Sequence, residues 1–241
     1  MLNQPSSPPP KPIAEVWRPE LVALPHLTFG RRLVRAFLHG FSRLLAFVTM
    51  RATVTGLENF PTYGPALVVI NQLGDADSVL LLATLPFRSP IEAIGKIELY
   101  DHWFVGPLFR AYGVIWVHRG QPDRKAIRAA LDALAEGRLV TLAPEGRQSV
   151  IGGLEEGNDG AAFLALKSGA PIVPVAMTGV ENSNIYGHMK RLRRATVTLS
   201  VGKPFFLQEH ADRQKMIREG TRQIMESLAN LLPESYRGKY K

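Results

Sequence analysis

Three observations predict an α/β fold, a largely parallel central sheet covered by helices, with an amphipathic helical appendage at the N-terminus. From residue 52 onward, short β-branched or apolar runs alternate with helical patterns, the pattern of strand-helix-strand units. Before it, residues 31–50 repeat apolar side chains at the three-and-four spacing of one helical face. Residues 52–241 contain no repeat, no long linker and no second core, and 241 residues suit one decorated domain.

Each element has its own local cause. Residues 1–14, MLNQPSSPPPKPIA, lack the cationic start and apolar stretch of a signal peptide and read as a mobile proline-rich tail. Residues 15–51 form the appendage, a membrane-interface segment. In it Val34, Phe37, Leu38, Phe41, Leu44, Leu45 and Val48 share one helical face, with Arg32, Arg35, His39 and Arg43 opposite. This pattern fits an interfacial anchor as well as a packed helix with a solvated basic face. The α/β domain follows over 52–241, with strands expected at 52–56, 66–70, 91–95, 114–117, 139–143, 172–176 and 195–201. Helices are expected at 78–85, 123–136, 161–168 and 212–232.

Composition excludes several function classes. The 46% hydrophobic and 21% charged content is that of a globular chain rather than a disordered one. Zero cysteines exclude thiol catalysis and thiolate metal sites, and the six histidines are scattered singly, so no metal site is expected. Apolar runs are far short of the roughly 20 residues that span a bilayer, so a cytoplasmic location is expected. The net charge of +8 calls for an anionic partner. Nucleic acid is disfavoured, because the basic residues are not interleaved with stacking aromatics.

Chemistry is expected in loops at the carboxyl ends of strands. Four segments have the composition for it: Asn71-Gln72-Leu73-Gly74-Asp75-Ala76-Asp77-Ser78; Gly113 to Gly120, with His118-Arg119; Ala143-Pro144-Glu145-Gly146-Arg147-Gln148-Ser149; and Pro171-Ile172-Val173-Pro174-Val175-Ala176.

In this order, they resemble the four motif blocks of the glycerolipid acyltransferases, the 1-acyl-sn-glycerol-3-phosphate acyltransferase family. Those blocks are Asn-His, four residues and Asp; a Gly-aliphatic-aromatic strand ending in Arg; Pro-Glu-Gly-Thr-Arg-Ser; and Val-Pro-Val-Ala. The resemblance extends from TGLENFP (55–61) to GKPF (202–205), and the ending LLPESYRGKY is similar to that of some bacterial members.

The resemblance implies transfer of a fatty acyl group from acyl-CoA or acyl carrier protein to the free hydroxyl of a lysophospholipid, without metal or other cofactor. It implies a protein held peripherally on the cytoplasmic face of the membrane, with an anionic lipid surface as partner. The family's general-base histidine corresponds to Gln72 and its orienting carboxylate to Asp77. A glutamine amide cannot act as a base. Three readings stay open: a non-catalytic lysophospholipid or acyl-donor binder, a variant of an active enzyme, or a base supplied by Asp75 or His118. Arg119 is expected on the acceptor phosphate, with a guanidinium fork that matches phosphate oxygens. The third block gives Glu145, Gly146, Arg147 and Ser149 to the same site, with Arg147 one residue early and Glu145 orienting arginine. Lys96 reads as a phosphate ligand or a solvated lysine, and Pro174 as an acyl contact or core. The run 190–194, Lys-Arg-Leu-Arg-Arg, reads as a solvated face or a headgroup contact.

Overall fold

The computed structural model describes residues 9–86, 89–208 and 212–241. The first eight residues of the expected tail lie outside this range. In chain order the elements are α1 (Phe29–Thr49), β1 (Met50–Thr55), β2 (Ala66–Ile70), α2 (Asp77–Thr84), β3 (Ile91–Lys96), α3 (Val105–Tyr112), β4 (Ile115–Val117), α4 (Arg124–Ala135), β5 (Leu139–Leu142), α5 (Gly160–Ser168), β6 (Ile172–Thr178), α6 (Asn182–Met189), β7 (Ala195–Val201) and α7 (Arg213–Leu231). The sheet has seven strands in the order β1-β7-β6-β2-β5-β3-β4. All neighbours are parallel except β6 and β7.

Alternation along the strands sorts the core into two layers. Leu67 and Val69 of β2 face the side covered by α4, α5 and α7, whereas Ala66 and Val68 face α1, α2 and α6. The central strands are buried on both faces, which is why they read as continuous apolar runs. Helix starts follow the sequence: Asp123 accepts from the Lys125 and Ala126 N–H groups, and Asp212 from those of Gln214 and Lys215, capping α4 and α7.

α3 and α6 were not expected. In α3 the one-face spacing of Val105, Leu108, Phe109 and Tyr112 runs over only eight residues that include Gly106 and Pro107, and α6 opens with Asn182-Ser183-Asn184 and shows no such stripe. Tertiary packing makes both helices, with Tyr112 and Ile185 buried.

α1 corrects an expectation in an informative way. Arg35 and His39 do not lie on a solvated basic face: Arg35 is buried and His39 half-buried. The Arg35 guanidinium forks onto the fully buried Glu92, at 3.0 Å to Oε1 and 2.6 Å to Oε2, and also donates to the Tyr112 and Gly113 carbonyls. Arg138 donates to Glu92 Oε1 at 2.9 Å. Burial, with the charges of Arg43 and Arg35, pushes the His39 imidazole down to about 4. With this face turned inward, Phe29, Leu33, Phe37, Phe41, Leu44, Phe47 and Val48 point to solvent, Phe37 being 69% exposed. Among the described residues no helix is long and apolar enough to cross a membrane.

Residues 9–14 also depart from the mobile-tail reading. They run against the domain, with Ala14 N–H donating to the Arg119 carbonyl at 2.9 Å and Lys11 Nζ to Asn158 Oδ1 at 3.1 Å. The helical appendage runs straight into the sheet, since β1 starts at Met50, paired with Ala195.

Candidate active site

Because β2, β3, β4 and β5 are parallel, their carboxyl ends meet at one edge of the sheet. That edge receives the 71–77 loop from β2, Lys96 and Glu98 from β3, His118 and Arg119 from β4, and the 143–149 loop from β5. Three of the four predicted segments therefore converge at the level of strand ends, as open α/β sheets dictate, whereas the fourth, 171–176, is part of the buried strand β6 itself.

The 71–77 loop is anchored at its first residue. Buried Asn71 donates from Nδ2 to the Met177 carbonyl at 2.8 Å and accepts from Met177 N–H at 2.7 Å, which ties the end of β2 to β6. Gly74 passes so close to the chain after β6 that a Cβ there would lie 2.4 Å from the Val180 carbonyl oxygen. Asp77, the first residue of α2, turns back into the loop. Its Oδ2 accepts from Leu73 N–H at 2.9 Å and Gly74 N–H at 3.1 Å, and its buried Oδ1 has no partner. Burial pushes this carboxyl up to about 7 against the pull of those N–H groups, with Glu181 and Asp75 adding like charge.

Gln72 is half-buried, and its backbone is held by the third block. Ser149 N–H donates to the Gln72 carbonyl at 2.8 Å, and the Gln72 N–H lowers the proton affinity of the Glu145 carboxyl. Glu145 is fully buried; Oε2 accepts from Glu155 N–H at 2.7 Å and Oε1 is unpartnered. Burial pushes it up to about 7. Glu145 orients no arginine. Arg147 is instead gripped by Glu155, from Nε at 2.7 Å and Nη2 at 2.6 Å, and donates from Nη1 to the Pro10 carbonyl at 3.1 Å. Gly146 takes φ +73°, and a Cβ there would meet Asn158 Nδ2 at 2.6 Å. The Ser149 hydroxyl donates to the Gly153 carbonyl at 2.6 Å, so it serves the loop. A pocket of about 370 Å³ lies where Pro9, Pro10 and Lys11 face Arg147, Glu155, Asn158 and Lys239.

Arg119 lies 3.7 Å from Glu98 through Nη2, and its buried Nε has no partner. Most of its fork is uncommitted. Lys96 ends β3, opposite Val117 of β4, half-exposed on the same edge. Pro174 is buried within β6, with its carbonyl accepting from Gly202 N–H at 2.8 Å, and belongs to the core at the point where β7 ends.

The two alternative bases are both occupied. His118 is fully buried; Nδ1 pairs with Asp123 Oδ2 at 2.6 Å, Nε2 accepts from Arg18 N–H at 2.9 Å, and Trp17 packs on the ring. With both ring nitrogens engaged it has no free lone pair, which removes it as a base. Asp75 accepts from Asn182 Nδ2, Tyr186 hydroxyl and Gln148 Nε2, at 3.0 to 3.1 Å, joining α6 to both loops. Glu155, Glu181, Asn182 and Tyr186 escaped the sequence reading. Asn71 alone carried a signal, as a polar residue closing an apolar strand.

The fold and these loops define an α/β protein with a carboxylate-lined site on the C-terminal edge of parallel strands. The Acyltransferase family model matches residues 51–178, just over half of the chain, and the chain belongs to that family. It is 29% identical to the 1-acyl-sn-glycerol-3-phosphate acyltransferase of Borreliella burgdorferi over 57% of its length and 60% of that relative's. To the enzyme of that name from Salmonella typhimurium it is 25% identical, over 80% of its length and 78% of the relative's. The chain thus spans about three fifths of the Borreliella protein, and 49% of a chloroplast relative from Arabidopsis thaliana. The solved 1-acyl-sn-glycerophosphate acyltransferase of Thermotoga maritima shares the fold, with a TM-score of 0.62 at 22% identity over 83% of this chain and 81% of that one.

Proposed function

We propose that this chain acts on lysophosphatidic acid at the membrane surface, moving a fatty acyl group from acyl-CoA or acyl carrier protein to its free hydroxyl to give phosphatidic acid. The observation that carries the reading is Asp77, at the C-terminal edge of β2, with one carboxylate oxygen buried and unpartnered and the other holding the N–H groups of Leu73 and Gly74, the residues that follow Gln72. In this reading the acceptor hydroxyl attacks the thioester carbonyl, the tetrahedral oxyanion collapses with cleavage of the C–S bond, and the hydroxyl proton passes through solvent to the departing thiolate, which leaves as the thiol. Arg119 and Lys96 take the acceptor phosphate. Arg147 reaches it by exchanging the Pro10 carbonyl for a phosphate oxygen, while Glu145, Gly146 and Ser149 hold the loop in shape.

Gln72 favours a second reading on the same fold, a non-catalytic lysophospholipid or acyl-donor binder, because no group at position 72 can take the hydroxyl proton. Lysophosphatidic acid binding, measured beside transfer from labelled acyl-CoA and acyl carrier protein, separates the two. Binding with transfer supports the enzyme; binding without transfer supports the binder; absence of both sinks each.

The membrane location rests on α1. Seven large apolar side chains along one outward face, with Arg32 and Arg43 exposed beside them, suit a helix lying in the headgroup region of the cytoplasmic leaflet.

A further inference from the structure

After α6 the chain turns through Lys190, Arg191, Leu192, Arg193 and Arg194 into β7. Backbone bonds from Leu192 N–H to the Met189 carbonyl and from Arg193 N–H to the His188 carbonyl close the turn and leave the leucine outside. Leu192 is 98% exposed, and its φ of +53° is the only left-handed backbone at a non-glycine residue among the described residues. An unfavourable conformation thus presents a bare apolar knob among four cations. In the sequence no acidic residue stands between Glu181 and Glu209.

The turn is continuous with α1. Arg194 lies over the Phe47 ring at 5.1 Å and donates to the Met50 carbonyl at 2.7 Å. Topology gives this contact its meaning. β7 is antiparallel to β6 and so starts at the edge where β6 ends, and β1, parallel to β7, starts there too. The basic turn, the C-terminal end of α1 and the loop holding Gln72 and Asp77 therefore share one edge.

We propose that the 190–194 turn is a second lipid contact, which inserts Leu192 into an anionic bilayer while Lys190, Arg191 and Arg193 engage headgroup phosphates. Two contacts at separate points fix an orientation that one helix leaves free to roll, and here they turn the site edge toward the headgroup layer. An apolar side chain ringed by cations matches an anionic lipid surface in both charge and polarity. The inference rests on the membrane reading of α1, and its test separates the two.

The chain contains no cysteine, so Leu192→Cys and, separately, Phe37→Cys each carry a single environment-sensitive fluorophore. With phosphatidylglycerol vesicles the Leu192 probe is expected to brighten at least threefold, and with phosphatidylcholine vesicles much less. Lys190→Gln/Arg191→Gln/Arg193→Gln is expected to weaken phosphatidylglycerol binding at least tenfold at low salt. A Leu192 probe that stays in water while the Phe37 probe enters overturns the proposal and leaves α1 docking intact. Silence of both probes with every vesicle removes the membrane reading and this inference with it. Brightening with protein concentration alone assigns the turn to self-association and also overturns the proposal.

Discussion

Replacing Gln72 with histidine tests the proposed site most directly, because the structure fixes the backbone of residue 72 and the Asp77 carboxylate. Residue 72 follows the Asn71 anchor on Met177, and its carbonyl is fixed by Ser149 N–H at 2.8 Å. Asp77 Oδ2 is fully used by two loop N–H groups, whereas Oδ1 is buried without a partner. Leaving such an acceptor unmet costs about 1 to 3 kcal/mol. An imidazole donating from Nδ1 to Oδ1 removes that cost and leaves Nε2 free to take the acceptor's proton. Gln72→His should therefore raise folding stability at pH 7 by about 1 kcal/mol and the single-turnover rate with lysophosphatidic acid and labelled acyl-CoA by at least about 10²-fold. Adding Asp77→Asn should remove most of the rate gain, because an amide does not stabilise the imidazolium as a carboxylate does. If Gln72→His folds and binds lysophosphatidic acid yet transfers no faster, the geometry assigned to the 71–77 loop is wrong. Fast transfer by the unmodified chain, lost in Asp75→Asn, would instead place the base at Asp75.

Arg119→Ala should weaken lysophosphatidic acid binding by about 1.5 to 3 kcal/mol, the scale of a hydrogen bond to a charged group, with little change in melting temperature; titration calorimetry and thermal unfolding report both. His118→Ala should lower stability by about 1 to 3 kcal/mol, since it strands Arg18 N–H and part of Asp123, and should leave the transfer rate of the Gln72→His chain unchanged. Phe37→Ser with Phe41→Ser should cut co-sedimentation with anionic vesicles at least about tenfold, as each ring contributes roughly 1 to 2 kcal/mol when buried; full retention removes α1 as the anchor. Asp77 is pushed up to about 7 in the fold, so it binds more protons folded than unfolded and its contribution to stability is lost as pH rises from about 4 through 7. Asp77→Asn should accordingly gain stability over the unmodified chain at pH 8 relative to pH 5 by up to about 2.5 kcal/mol in urea titrations, a difference in which the opposite trend from His39 cancels.

Sheet and site loops were legible in the sequence to different depths. Every expected strand is present within one or two residues, because strands buried on both faces write themselves as apolar runs bounded by glycine and proline. α3 carries one-face spacing in Val105, Leu108, Phe109 and Tyr112, but over only eight residues interrupted by Gly106 and Pro107, and α6, opened by Asn182-Ser183-Asn184, carries none and is set by packing. In α1 the three-and-four spacing located the helix but left open whether the apolar face packs on the domain or faces outward as an anchor. The deciding partner, Glu92, which draws Arg35 inward, lies 57 residues away. The site loops were readable because their residues are local in sequence. Their partners were not: Glu155 holds Arg147, and Tyr186 holds Asp75, across separations that no pattern encodes.

The two interactions that position residue 72 run through its backbone. Its carbonyl receives Ser149 N–H and its N–H faces Glu145, so the bridge between the first and third blocks does not depend on the side chain at this position. Exchange of histidine for glutamine here removes a proton acceptor without removing a structural tie. Arg119 is likewise indifferent to it, held at the end of β4 by the Ala14 contact and by Glu98. In the proposed reading, phosphate binding at Arg119 and base chemistry at residue 72 therefore fall to separate parts of one edge. Under the binder reading such a chain keeps its grip on the lipid without transfer, and Gln72→His alone is expected to bring transfer back.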